Sequence, residues 1–351
     1  MSLPAFFSFP LLAFALAAVL SFALMPLVIR LAWAIGYLDH PEARKLHTSA
    51  TALLGGGAVF VIALAVWGLA MWRLPHAPAD WEGYYLLAGA AVALVLGLVD
   101  DRFGMRPSVK MLGQAVAAVI LVAGGAVPDL HLPIGITAAL TMLALIALMN
   151  AVNFLDNMNG MVGGLAAIAL TAFAWTSLQR GANGIAAAQL ALAGACVGFL
   201  PHNFPKARIF LGDAGSLLLG YSLGASALLA MKSSPAGWGQ AGPLLMLAYP
   251  AFDLTFVVLT RTRDGRPVYQ GGKDHTNHRL ASVIKCPIRT VVLIWGCGAA
   301  LAVSGLVLAQ VNRPLPTLLL SGLWMTLLLW SGLRLSSVPI VRPQLEPLPT
   351  K

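Results

Sequence analysis

The sequence predicts an all-α polytopic membrane protein, and three observations carry that prediction. Of 351 residues, 59% are hydrophobic and only 10% are charged, against about 25% charged in an ordinary soluble domain. The mean hydropathy is +0.82. Apolar residues run from end to end, and they fall into segments near the roughly 20 residues that a ~30 Å hydrocarbon core requires.

Eleven such segments lie near 5–30, 51–72, 83–99, 108–127, 133–149, 161–178, 184–201, 214–231, 241–260, 288–311 and 316–333. Each is bounded by Pro, Gly or charged residues, as helix ends should be. The first has no Lys or Arg before its apolar run, and that run is longer than a signal h-region, so it reads as a span. The second follows Gly55–Gly57 and the third ends at Asp100–Asp101. The fourth follows Pro107, and the fifth ends at Asn150. The sixth and eighth are the weakest. The ninth contains Pro250, and the last two follow Pro287 and Pro314. A transmembrane β-barrel would show alternating stretches of about ten residues, and none occurs. The three cysteines form no C-x-x-C pair, which excludes a disulfide scaffold. The expected organisation is one membrane domain over 1–335 and a short cytoplasmic tail, 336–351.

Charge placement sets the orientation. With the N-terminus outside, four of the 22 Lys and Arg residues (Arg73, Arg180, Lys232 and Arg313) fall outside and the other 18 inside, as the positive-inside rule expects. The C-terminus is then cytoplasmic. Topology alone accounts for most of the +9 net charge, and no nucleic-acid signature appears. Of the 13 acidic residues, Asp80, Glu82 and Asp129 lie outside, and the other ten fall in cytoplasmic connections or at cytoplasmic helix ends. Ionisable residues at a bilayer edge are costly unless paired, hydrated or functional. Five cytoplasmic segments each contribute a polar cluster, the pattern of one active site assembled on the inner face.

The first cluster, L-D-H-P-E-A-R-K-L-H (38–47), carries Arg44, Lys45 and His47, donors suited to phosphate oxygens. The glycines that follow allow close approach of helices or ligand. In the second, Asp100 and Asp101 end an apolar run where negative charge opposes the helix dipole. A divalent cation, Arg102 or Arg106 should compensate. Adjacent helical side chains diverge by about 100°, so both acids need not serve one ligand. The third, N-A-V-N-F-L-D-N-M-N-G (150–160), spaces Asn150, Asn153 and Asp156 three apart on one helix face. Its amides, Asn159 included, both donate and accept, which suits base or sugar recognition.

The fourth cluster runs from His202-Asn203 through Phe210 to G-D-A-G-S (212–216). Asp213 is placed to give a carboxylate oxygen to a hard cation or to cap the helix that follows. Backbone N–H groups near Gly215 and Ser216 are expected to face anionic oxygens. The fifth, G-G-K-D-H-T-N-H-R-L (271–280), sets His275 and His278 among Lys273, Asn277 and Arg279. Without H-E-x-x-H or cysteine, these histidines read as phosphate donors rather than zinc ligands.

In this order the clusters resemble the polyprenyl-phosphate N-acetylhexosamine-1-phosphate transferases, the bacterial glycosyltransferase family that starts lipid-linked glycan synthesis. The likeness runs from Asp39 to Arg279, through D-x-P-x-x-R-K-x-H, D-D, N-x-x-N-x-x-D, N-x-P-x-x-x-x-F-x-G-D-x-G-S and H-x-x-H. It implies transfer of a sugar-1-phosphate from a UDP-N-acetylhexosamine to undecaprenyl phosphate, with release of UMP, in the bacterial inner membrane. It implies Mg²⁺ as cofactor, with Mn²⁺ able to substitute, and it admits a homodimer. By position, Asp213 with Asp156 would ligate the metal, and Asp100, Asp101 and Asp156 would be catalytic. Asn150, Asn153 and Asn159 would meet substrate. Asn203 and Phe210 would line the uridine pocket, while Lys45, His47, Lys273, His275, Asn277, His278 and Arg279 would contact the diphosphate.

Two departures stand out. Asn159 holds the place of an aspartate the family associates with nucleotide recognition, and Asn277 interrupts an H-x-H-H pattern. The H-H-H-F-E run of the phospho-muramoyl-pentapeptide branch is absent, which ranks that donor lower. A transporter or lipid flippase is the rival class, with Asp253 the residue it could claim. Transporters place polar groups at the midplane between repeats, whereas these gather at one face. A non-catalytic binding protein would not need so many carboxylates.

Overall fold

A computed structural model of the chain describes residues 3–40, 49–73, 81–234, 237–269 and 272–339. Among these, the helices are α1 (Leu3–Ala34), α2 (Gly55–Arg73), α3 (Trp81–Phe103), α4 (Pro107–Ala123), α5 (Ile134–Leu155), α6 (Met161–Gln179) and α7 (Asn183–Asn203). They continue with α8 (Gly212–Lys232), α9 (Ala241–Met246), α10 (Ala248–Arg263), α11 (Thr276–Ile284), α12 (Pro287–Val311) and α13 (Pro314–Ser336). Two strands of two residues, β1 (Leu38–Asp39) and β2 (Thr51–Ala52), pair antiparallel. Ile209 bridges to Ala52 in parallel. These short pairings were not anticipated in the sequence.

Nine described helices are long and apolar enough to cross a membrane, and the bent pair α9–α10 makes a tenth. Two of the eleven expected segments therefore need correction. The ninth, expected as one helix over 241–260, breaks at Leu247 with a 70° bend. Pro250 lies in the first turn of α10, where it lacks an N–H and its ring excludes the Met246 carbonyl from a continuous ladder. The fourth, α4, is apolar but only 17 residues long.

The two segments that look weakest in the sequence are well protected. Every residue in the apolar window of α8 is buried, and most of α6 is. An interior helix need not reach lipid on any side, so Gly, Ala and Ser suffice where outer helices carry Leu. Around α8 stand α2, α3, α5 and α6, with α7 behind. A Cβ on Gly56 would lie 2.2 Å from the Gly215 backbone nitrogen, so only glycine lets α2 meet the start of α8. At the other extreme, the apolar window of α13 holds no buried residue. Leu318, Leu319, Leu323, Leu329 and Trp330 are exposed there, as on a helix whose neighbour is lipid.

The two ends of the bundle are distinct. At one, Lys232 pairs with Glu82, Gln240 Nε2 donates to the Asp129 carbonyl at 3.0 Å, and the Gly239 N–H donates to Asn312 Oδ1 at 2.7 Å. The opposite end gathers the carboxylates, amides and histidines of the sequence clusters.

Candidate active site

The site is built where α3, α4, α5 and α8 end together. Lys110, one turn into α4, lies at its centre. Its Nζ is 2.7 Å from Asp100 Oδ2 and 2.7 Å from Asp213 Oδ2, and it donates to Asn153 Oδ1 at 3.2 Å. The Asn153 amide donates in turn to Asp213 Oδ1 and to Ser216 Oγ, each at 2.8 Å. Three separate segments thus meet around one ammonium group. The expected compensation of the aspartate pair comes from Lys110. Arg102 turns away to the Gly36 carbonyl and the Tyr37 ring.

Asp100 and Asp101 diverge, as neighbours on a helix must. Asp100 Oδ1 accepts the Met105 N–H at 2.7 Å. Both oxygens of Asp101 accept backbone N–H groups of α8, from Asp213 at 2.8 Å and Ala214 at 3.0 Å. Asp101 therefore supplies the cap that Asp213 was expected to provide, and leaves the Asp213 carboxylate to the site. At this helix start the N–H groups of 213 and 214 are thus taken, whereas the expectation of a ligand concerned those near Gly215 and Ser216. Gly212 has φ +74°, and a Cβ there would lie 2.6 Å from Asp101 Oδ2. Only glycine fits that turn.

Asp156 caps the C-terminus of α5 just beyond the span. Burial, and then the charge of Asp213, push its carboxyl up to about 7. Asp156 and Asp213 are hard oxygen donors suited to Mg²⁺. Among the described residues no three of His, Cys, Asp and Glu gather to form a protein cage. Mg²⁺ is commonly held by one or two carboxylates, with substrate phosphates completing its shell.

Several expected ligand contacts are committed elsewhere. Asn150 Nδ2 donates to Gln114 Oε1 at 2.7 Å and to the Ile146 carbonyl, which makes it a tie between α4 and α5. Asn203 is buried and braces two loops, accepting the Gly160 N–H at 2.6 Å and donating to the Ile209 carbonyl at 2.9 Å. Arg279 Nη1 donates to the carbonyls of Leu335, Ser336 and Val338, so it clamps the end of α13. Asn159 Nδ2 donates to the Pro205 carbonyl at 3.1 Å, a bond an aspartate could not make. Phe210 is half-buried, its N–H bonded to the Ala52 carbonyl. Lys45 and His47 lie outside the described residues.

The histidine cluster joins this end through Asn277, which donates to Asn157 Oδ1 at 2.7 Å. The His275 ring stands edge-on to Phe154 and 6.1 Å from the His278 ring. Burial, and then the nearby His275, push His278 down to about 4, so near neutrality its ring is uncharged. Half-exposed Lys273 acts on His278 in the same direction. Burial would raise the Asp274 carboxyl, but hydrogen bonds and charge from Arg261, with Arg266, bring it down to about 2. That ion pair folds the loop carrying the histidines.

Lys110 and Gln114 were not singled out in the sequence, and Ser216 was named there for its backbone N–H rather than for the hydroxyl that Asn153 meets. For Lys110 the signal was present: a charge within an apolar segment is a site candidate by default. Nothing local marks Gln114.

Residues 84–231 match the family described as Glycosyl transferase family 4. The probable undecaprenyl-phosphate N-acetylglucosaminyl 1-phosphate transferase of Bacillus subtilis (strain 168) is 31% identical over 81% of this chain and 80% of its own. The decaprenyl-phosphate N-acetylglucosaminephosphotransferase of Mycobacterium tuberculosis (strain CDC 1551 / Oshkosh) is 32% identical over 80% of this chain and 77% of its own. The phospho-N-acetylmuramoyl-pentapeptide-transferase of Desulforudis audaxviator (strain MP104C) is 31% identical over 84% and 95% respectively. With the likeness spanning about four-fifths of the sequence, the chain belongs to the polyprenyl-phosphate N-acetylhexosamine-1-phosphate transferases of glycosyl transferase family 4.

Proposed function

We propose that this protein transfers N-acetylglucosamine-1-phosphate, or a related N-acetylhexosamine-1-phosphate, from its UDP-sugar to undecaprenyl phosphate. UMP is released and a diphosphate-linked sugar stays on the lipid, the first membrane step of a cell-envelope glycan. The observation that carries this reading is the convergence of Asp100, Lys110, Asn153 and Asp213 at one end of an apolar bundle. A lipid phosphate anchored in the bilayer arrives at that depth, and a soluble nucleotide can reach it from the aqueous side. The charge split supports a cytoplasmic position for this end, at the inner membrane.

In the reaction a lipid phosphate oxygen attacks the phosphorus that bears the sugar, and its bond to the UMP oxygen breaks. Both substrates are anions, so charge neutralisation and alignment are the main needs. Lys110 provides fixed positive charge, and Asn153 orients Asp213. Asp100 holds the lysine in place and offers a carboxylate that could position the lipid phosphate. Asp213 and Asp156 would hold Mg²⁺, with Mn²⁺ a substitute, and the ion would supply Lewis-acid neutralisation of the diphosphate. His275, His278 and Lys273 line the approach as diphosphate contacts, and Phe210 offers a ring for the uracil. The polar groups gather at one end rather than at mid-membrane, which speaks against a transporter.

The test is purified protein with undecaprenyl phosphate, Mg²⁺ and a panel of UDP-sugars, reading UMP release. Release with a UDP-N-acetylhexosamine and none without the lipid phosphate supports the reading. Release only with the UDP-muramoyl-pentapeptide would favour the donor of the Desulforudis relative. No release with any donor would refute transfer.

A further inference from the structure

We infer that Asp253 is a positioning residue that fixes the tautomer of His275, so that His275 exchanges protons and meets substrate only through Nε2. What Nε2 meets rests on the proposed function; the tautomer does not.

The carboxylate of Asp253 is fully buried, and His275 is nearly so. Nδ1 of His275 lies 2.8 Å from Asp253 Oδ2. An ionised carboxylate only accepts, so Nδ1 must carry a proton whether the ring is neutral or charged. A lone pair at Nδ1 would face a lone pair at Oδ2. The other oxygen, Oδ1, accepts the Thr276 N–H at 2.8 Å and the Thr276 hydroxyl as well. With its proton committed there, Thr276 Oγ1 can only accept from Tyr249, whose hydroxyl is 3.1 Å away. The chain Tyr249, Thr276, Asp253, His275 therefore has one consistent direction.

A buried carboxylate is stable only when its lone pairs are filled, and here three donors fill them. The same bonds would serve if Asp253 merely pinned α11 to α10. The difference lies in what the His275 ring is left able to do. Its plane is set by Phe154 and His278. Phe154 follows Asn153 on the end of α5, so the ring stands beside the segment that carries Asp156. With Nδ1 spoken for, Nε2 is the one nitrogen that can give a proton to, or take one from, a group in the site. Holding an imidazole by its far nitrogen to define the near one is the recurrent use of a buried carboxylate in catalytic and metal sites.

The variant Asp253→Asn tests this because it reverses the pair. The amide oxygen would still accept the Thr276 N–H, which places the amide nitrogen against His275. That nitrogen donates, so Nδ1 must become the acceptor and the proton moves to Nε2.

The experiment is ¹⁵N-histidine labelling of the full chain in detergent micelles, with His275 assigned by its loss in His275→Gln. Long-range proton–nitrogen correlations should show protonated Nδ1 and bare Nε2 in the neutral wild-type ring, and the reverse in Asp253→Asn. UMP release by Asp253→Asn should fall at least ~10-fold with the fold retained, as expected for a histidine in the wrong tautomer. Protonated Nε2 in the neutral wild-type ring, or an unchanged tautomer in Asp253→Asn, overturns the inference. So does full UMP release by a variant whose tautomer has flipped. If Asp253→Asn fails to fold, the wild-type spectrum alone decides the tautomer. A wild-type protein with the expected spectrum but no UMP release with any donor would sink the proposed function and leave the tautomer standing.

Discussion

Asp101 accepts the backbone N–H of Asp213 at 2.8 Å, so one aspartate holds the start of the helix on which the other is displayed. The two acids should therefore fail differently. Asp213→Asn keeps size and most hydrogen bonding but removes the charge, and Lys110 retains Asp100 as partner. Turnover should fall at least ~100-fold, on the order of 3 kcal/mol of transition-state stabilisation, with little change in thermal unfolding. Asp101→Ala leaves two α8 N–H groups without acceptors and should destabilise by about 1–3 kcal/mol. UMP release and unfolding measured on both variants separate the roles. Near-wild-type turnover in Asp213→Asn at equal Mg²⁺ would sink the metal assignment.

Lys110 compensates two carboxylates that would otherwise repel across the site. Lys110→Met keeps the length of the side chain and removes the charge, so UMP release should drop at least ~100-fold. Lys110→Arg restores charge but not geometry, because a planar fork cannot replace a point donor shared among three oxygens. It should recover less than about a tenth of the lost rate, the two side chains not being interchangeable at such a site. A methionine variant within a few-fold of wild type would remove Lys110 from the chemistry.

His278 gives a prediction with a defined sign. Its folded value, about 4, lies below the ordinary 6.5. Between those values the unfolded chain binds a proton that the folded chain refuses. The stability this confers is complete above pH 6.5 and is lost as pH falls toward 4. Melting temperatures of wild type and His278→Gln, compared across that window, should converge as the pH is lowered. A difference that stays constant with pH would mean that the ring is not held neutral.

The sequence made the inventory of the site legible, because a carboxylate or histidine in so apolar a chain is costly and stands out. Which of its polar groups face a ligand was not legible. Asn150, Asn203 and Arg279 have the right chemistry, yet neighbouring helices and loops consume it, and only tertiary packing decides that. Lys110 was overlooked because it sits inside a run that satisfies the length and composition of a span. The same packing explains the misjudged helices. The α6 and α8 segments read as weak spans, but burial among other helices relaxes the demand for large apolar side chains.

The expected orientation rests on charge and on the path of the bent pair. The turn before α9 is tied to the end of the bundle that carries Asp129 and Asn312. Arg261, at the close of α10, lies with Asp274 and the histidines at the other. The pair thus crosses the bundle despite its bend, and α4 runs from the site to the opposite end despite its length. Eleven crossings would put the two termini on opposite faces, and the sequence expectation assigns 18 of the 22 Lys and Arg residues to the cytoplasmic side. A reporter fused after Arg342 should therefore read cytoplasmic, and one fused at the N-terminus external. A C-terminal reporter in the periplasm with an external N-terminus would mean that α4 or the bent pair does not span. If both ends reverse, the site faces outward, away from a cytoplasmic UDP-sugar pool, and the proposed reaction fails with it.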